Sequence, residues 1–160
     1  MKESVVVYFS KTESTGAIAK KISLGLQCDL CRIIPSYPYM IEDLNQEDPT
    51  CRSYVEAKDE NSRPEILDLK FDIEKYDIIY LGFPIWFEDM PKVIYTFLES
   101  FDFTNKIIVP FATSELSNLK EITKTIQKLC PQSNVLAGMP LNGSPSCIDI
   151  LEWIDQLPLE

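Results

Sequence analysis

Three short runs of the chain are apolar without alternation: Val5-Val6-Val7-Tyr8-Phe9, Ile78-Ile79-Tyr80-Leu81-Gly82-Phe83 and Ile107-Ile108-Val109-Pro110-Phe111. A strand with one wet face alternates apolar and polar residues, whereas a strand apolar on both sides must be covered on both faces. Each run is followed by a helical pattern. Ile18, Ile22 and Leu26 follow the first, Val93, Ile94, Phe97 and Leu98 the second, and Leu119, Ile122, Ile126 and Leu129 the third. Further strands are predicted near Leu30–Ile34 and Val135–Gly138, and a closing helix over Ile148–Leu157. The main strands are placed at Ser4–Phe9, Asp77–Phe83 and Lys106–Phe111, with helices starting at Thr15 and at Pro91, a favourable first-turn proline. Residues 35–63 are irregular, with Ile41, Leu44, Tyr54 and Val55 as scattered apolar anchors and a helix expected around Thr50–Lys58. This alternation predicts an α/β fold, a five-stranded parallel sheet with helices on both faces. Right-handed crossovers make it doubly wound. With no internal repeat or linker, residues 1–160 read as one domain.

In such folds ligands bind at the carboxyl ends of the strands, which brings three loops together. The first, Ser10-Lys11-Thr12-Glu13-Ser14-Thr15, places hydroxyls and unpaired N–H groups at the positive end of a helix dipole, which suits a phosphate. Glu13 puts a negative charge in the same place. The second, Pro84-Ile85-Trp86-Phe87-Glu88-Asp89-Met90-Pro91, sets large aromatics beside a strand end. These either cover a planar ring or pack on neighbouring helices. The third, Ala112-Thr113-Ser114-Glu115-Leu116-Ser117-Asn118, offers polar groups to a ring edge, or a cap (Ser117 or Asn118) to the next helix. Together the three describe a mononucleotide site with a flat ring.

Composition narrows the chemistry. The net charge is −10, from 25 acidic and 15 basic side chains. An acid-rich surface repels nucleic acid and anionic lipid; it either steers the chain toward a partner with a basic face or only keeps it soluble. There is no histidine, so triads, Cys-His pairs and His-containing zinc sites cannot be built from this chain alone. No apolar run nears the roughly 20 residues that span a bilayer, and no signal peptide precedes the first strand, so a cytoplasmic location is expected. The five cysteines are expected as reduced thiols. Cys28 and Cys31, three apart on a predicted strand, are expected to face opposite sides rather than form a redox pair.

The sequence resembles the flavodoxins, and especially those beginning "YFSxTGNT", where Tyr8-Phe9-Ser10-Lys11-Thr12-Glu13-Ser14-Thr15 stands here. The likeness continues through Tyr37-Pro38-Tyr39, Ser62-Arg63-Pro64-Glu65-Ile66 and Tyr76 to Trp86. Met90-Pro91, Thr96-Phe97-Leu98-Glu99 and Pro110-Phe111-Ala112-Thr113-Ser114 extend it. It implies a sheet in the order 2-1-3-4-5 with non-covalent FMN at the strand ends. By similarity Ser10, Lys11, Thr12, Ser14 and Thr15 surround the phosphate. Pro84, Ile85, Trp86 and Phe87 line the isoalloxazine, and Thr113, Ser114 and Glu115 lie near its pyrimidine edge. The implied activity is electron transfer between redox partners, with a partner of basic docking face. Some relatives reduce small molecules, and without histidine such catalysis would rest on the flavin.

All three loops depart from the family pattern. Glycine is usual at the position of Glu13, "PIWWG" becomes Pro84-Ile85-Trp86-Phe87-Glu88, and "TSGGSG" becomes Thr113 to Asn118. Glycine there permits positive φ and close backbone approach. Acids near the flavin (Glu88, Asp89, Glu115) would lower its potentials. Three readings stand: an FMN electron carrier, a flavodoxin-like accessory protein with weak or no FMN binding, and a self-contained flavin reductase.

Overall fold

The computed structural model describes residues 2–114 and 118–159, Ser114 by its backbone alone. Along the chain run β1 (Ser4–Tyr8), α1 (Ser14–Leu26), β2 (Asp29–Arg32), α2 (Arg52–Lys58), β3 (Ile78–Ile85) and α3 (Lys92–Ser100). Then come β4 (Ile107–Ser114), α4 (Leu119–Leu129), β5 (Asn134–Val135), β6 (Met139–Pro140) and α5 (Cys147–Asp155). The strands pair in parallel in the order β2-β1-β3-β4-β5, with β6 also on β4. This is the flavodoxin-like order expected from the sequence.

Alternate strand residues feed two cores, as a period of two requires. Val5, Val7, Ile79, Leu81, Phe83 and Ile108 pack with Val93, Ile94 and Phe97 of α3 and Ile122 and Ile126 of α4. Val6, Tyr8, Tyr80, Val109 and Phe111 pack with Ile18, Ala19 and Ile22 of α1 and Ile150 and Ile154 of α5. Cys31 lies in the first core and Cys28 against the second. Burial pushes each of their thiols up to about 11, which keeps them protonated and poor nucleophiles at neutral pH.

Two strands run further than the apolar runs suggest. β3 continues through Pro84 and Ile85, and β4 through Thr113 and Ser114, because the two keep pairing to Ile85↔Ser114. β1 ends its pairing opposite Gly82, so Pro84 lies past the end of that neighbour, and its missing N–H leaves no gap in a three-strand ladder. The fifth strand, by contrast, is broken. Val135 pairs with Ile108 and Met139 with Phe111, so Leu136, Ala137 and Gly138 face only Val109 and Pro110. The surplus residue makes a bulge, and the break falls opposite a proline that has no N–H to offer.

Candidate functional site

The first loop turns into α1 through Glu13, which stands at the N-cap with φ 68° and gives the helix no side-chain cap. Gly16 N–H donates to Ser10 Oγ at 3.2 Å and Ala17 N–H to the Glu13 carbonyl at 2.8 Å. The N–H groups of Ser14 and Thr15, at the very start of the helix, are thereby left to other partners, the arrangement an anion needs. The Glu13 carboxylate at this helix start is already partnered. Its Oε1 accepts from Arg32 Nη1 at 3.0 Å, and Arg32 Nη2 donates to the Ser10 carbonyl at 2.8 Å.

The second loop closes as a two-residue hairpin. Trp86 and Asp89 exchange both backbone hydrogen bonds, at 2.9 and 3.1 Å, and the residues between them, Phe87 and Glu88, have φ of 53° and 65°. Two successive positive φ values define the type I′ turn, which ordinarily takes Asn-Gly. Glu13 and Glu88 thus adopt the left-handed backbone at the positions where the resembling sequences carry glycine. A left-handed residue with a Cβ costs about 1–2 kcal/mol, and such strain collects at functional sites. Glu88 is exposed, so Glu88→Gly is expected to raise stability by up to about 1 kcal/mol, allowing for the extra freedom glycine gains when unfolded. That corresponds to roughly 2–4 °C in Tm for a chain of this size; a lower Tm would show that the glutamate side chain compensates its own backbone.

The aromatics pack on neighbouring rings and also border a cleft. Trp86 meets Phe9 edge-on at 5.5 Å and Tyr39 at 5.3 Å, and Phe87 meets Tyr54 at 5.3 Å. Both also line a cleft of about 240 Å³ with Lys11, Thr12, Thr15, Pro84 and Ile85. Its remaining wall is Leu44, Gln46 and Ser53, from the irregular segment before α2 and its start. Of these only Leu44 is marked in the sequence, as a scattered apolar anchor. Tyr39, which supports Trp86, is fixed by its hydroxyl donating to Glu56 at 2.5 Å and by Arg52, 3.8 Å from its ring centroid. Burial and the Glu56 carboxylate push that phenol well above the usual tyrosine range.

Not every predicted residue reaches the cleft. Ser10 is buried behind its loop, and Ser14 is exposed on the first turn of α1. Thr113 is buried and bonded to Thr15, Oγ1 to Oγ1, at 2.8 Å, which ties the third strand end to the first loop. Ser114 pairs through its backbone with Ile85. Glu115, and Ser117 as a cap, lie outside the described residues. Asn118 does occupy the N-cap of α4, but its side chain does not cap the helix. It donates instead to the Glu88 carbonyl at 2.5 Å, joining the second and third loops. Asp89 is drawn back onto α3, accepting from the Tyr95 hydroxyl at 2.7 Å and lying 3.6 Å from buried Lys92 Nζ. Its charge is already partnered, which the sequence alone does not reveal.

A family model described as flavodoxin matches residues 3–157. The chain belongs to the flavodoxin family. Among solved structures, this flavodoxin is similar to a candidate flavoprotein from Bacteroides uniformis, at 37% identity and a TM-score of 0.90 over 97% of this chain and 99% of that one. A second candidate flavoprotein, from Bacteroides eggerthii, is 34% identical with a TM-score of 0.90, over 97% of both chains. A Lactobacillus acidophilus flavoprotein solved in complex with FMN shares the fold at 22% identity and a TM-score of 0.71, over 97% of this chain and 98% of that one. No curated protein matches the chain. Among the described residues of this flavodoxin, no helix is long and apolar enough to cross a membrane.

Proposed function

We propose that the chain binds FMN at the strand ends and shuttles electrons between redox partners. The left-handed backbone at Glu13 and Glu88 carries this reading. The glycines are gone from both loops, yet the loop shapes that glycine ordinarily supplies are kept. Keeping such shapes at a cost in stability makes sense if a ligand uses them. The donor set also fits the group. Lys11, Thr12 and Thr15 on the cleft wall, with the Ser14 N–H at the start of α1 and Ser10 behind the loop, hold the phosphate. Pro84, Ile85, Trp86 and Phe87 line the ring, and Thr113 at the end of β4 braces the first loop through Thr15. The FMN complex of the Lactobacillus acidophilus protein supports the same choice of flavin. Bound there, FMN supplies a ring that accepts and returns one or two electrons. The protein holds the ring, shields one side of it from water and sets its potential. The charge of −10 favours a partner with a basic docking face.

Adding the purified protein to FMN is expected to quench the flavin fluorescence saturably at micromolar protein and to perturb the flavin absorbance bands. No quenching up to high micromolar protein would overturn the electron-carrier reading and leave the accessory-protein one.

A further inference from the structure

The first loop is clasped from behind by a residue of another strand. Arg32 ends β2 and is the sheet neighbour of Tyr8, the last residue of β1. Its guanidinium donates to the Ser10 carbonyl at 2.8 Å and to Glu13 Oε1 at 3.0 Å, so one planar group joins both ends of the Ser10–Glu13 segment. The other carboxylate oxygen lies over Gly16: a Cβ built there would sit 3.0 Å from Glu13 Oε2 and 3.3 Å from the Tyr8 ring. The acid is therefore folded over the first turn of α1, and Glu13 is not among the residues lining the cleft.

We propose that Arg32 is a positioning residue for the cofactor's phosphate, holding the Glu13 carboxylate aside, cancelling its charge and fixing the loop that glycine would otherwise shape. The inference rests on the FMN reading above and adds to it a named residue and a cause. The two side chains are 41% and 56% exposed, so as an ion pair they contribute little to folding. Their weight falls on anion binding instead. A carboxylate left uncompensated at the start of α1 would repel a phosphate and offset the favourable helix dipole. Arginine suits the task because its rigid fork reaches a carbonyl and a carboxylate at once.

The test is an FMN titration of the parent protein, Arg32→Ala, Glu13→Gln and the double variant, at low and at high salt. Arg32→Ala is expected to bind FMN about tenfold more weakly at low salt, with the deficit shrinking at high salt as the exposed charge is screened. Glu13→Gln alone should bind no more weakly than the parent. Adding Glu13→Gln to Arg32→Ala should return the affinity to within about threefold of the parent. Should the alanine variant fail to fold, Arg32→Gln, which keeps part of the aliphatic stem, must show the same loss and the same recovery. An affinity for the arginine variant within about twofold of the parent would overturn the proposal. So would a double variant as weak as the single one, since a purely structural brace is not repaired by removing a charge. A parent protein that binds no FMN overturns the electron-carrier reading, and this inference with it. A parent that binds, with either of the other failures, overturns the inference alone.

Discussion

Gly82→Ala is expected to leave the protein at least about 3 kcal/mol less stable, or unable to fold. Gly82 sits in the middle of the sheet, between Tyr8 of β1 and Phe111 of β4. A Cβ added there would lie 2.2, 2.4 and 2.9 Å from three atoms of the Phe111 ring. That ring is fully buried in the core formed with α1 and α5, so it has nowhere to retreat, and close-packed interiors resist even one extra methyl. The ring occupies the space that the glycine leaves open. Chemical denaturation of Gly82→Ala measures the loss, and Phe111→Leu in the same chain should recover part of it, since a smaller side chain clears the clash. An unfolding free energy for Gly82→Ala within about 1 kcal/mol of the parent would show that the sheet can shift to admit it. Any distortion reaches the ligand site, because β3 delivers Pro84 and Ile85 and β4 delivers Thr113.

Trp86→Ala is expected to weaken FMN binding by roughly 5- to 150-fold, the range set by about 1–3 kcal/mol for one stacked aromatic. It should also cost the apo-protein about 2–3 kcal/mol, because the indole is wedged against Phe9 and Tyr39 and its removal leaves a partly filled gap. The two effects separate in Trp86→Phe. A smaller ring keeps much of the edge-on packing and a flat face, so most of the stability and affinity should remain. Titrating each variant under conditions where its apo form is folded isolates the binding term. An unchanged affinity in Trp86→Ala would remove the stacking role and leave the residue as core alone.

Much of this was legible because the central strands are apolar on both sides and alternate with helical patterns, which together call for a parallel sheet covered on both faces. The convergence of three strand-end loops follows from that topology, and the Thr15–Thr113 and Asn118–Glu88 hydrogen bonds realise it. The strand ends were less legible. Pro84 and Thr113 read as loop residues because proline and hydroxyls ordinarily mark turns, yet here the mutual pairing of β3 and β4 overrides the local signal. The partner of Glu13 was hidden for another reason. Arg32 is nineteen positions away and enters only through the β1–β2 register, which no local pattern encodes. Gln46 lies in the irregular stretch before α2 and Ser53 is a small polar residue in its first turn, so no spacing rule singles them out.

The interrupted last strand bears on how molecules of this protein meet one another in concentrated solution. An intact border strand exposes a long row of free amides and carbonyls that another chain can extend into a larger sheet. Here one border is split into two-residue pieces by the bulge at Leu136–Gly138, and the opposite one is four residues long and carries Asp29 and Arg32. Just past it, Pro35 bridges Ile66 of its own chain. Neither border gives an incoming strand a long, uncharged template, and the strong negative charge adds a longer-range repulsion. Resistance to fibrous aggregation is therefore built into the same backbone that carries the ligand loops.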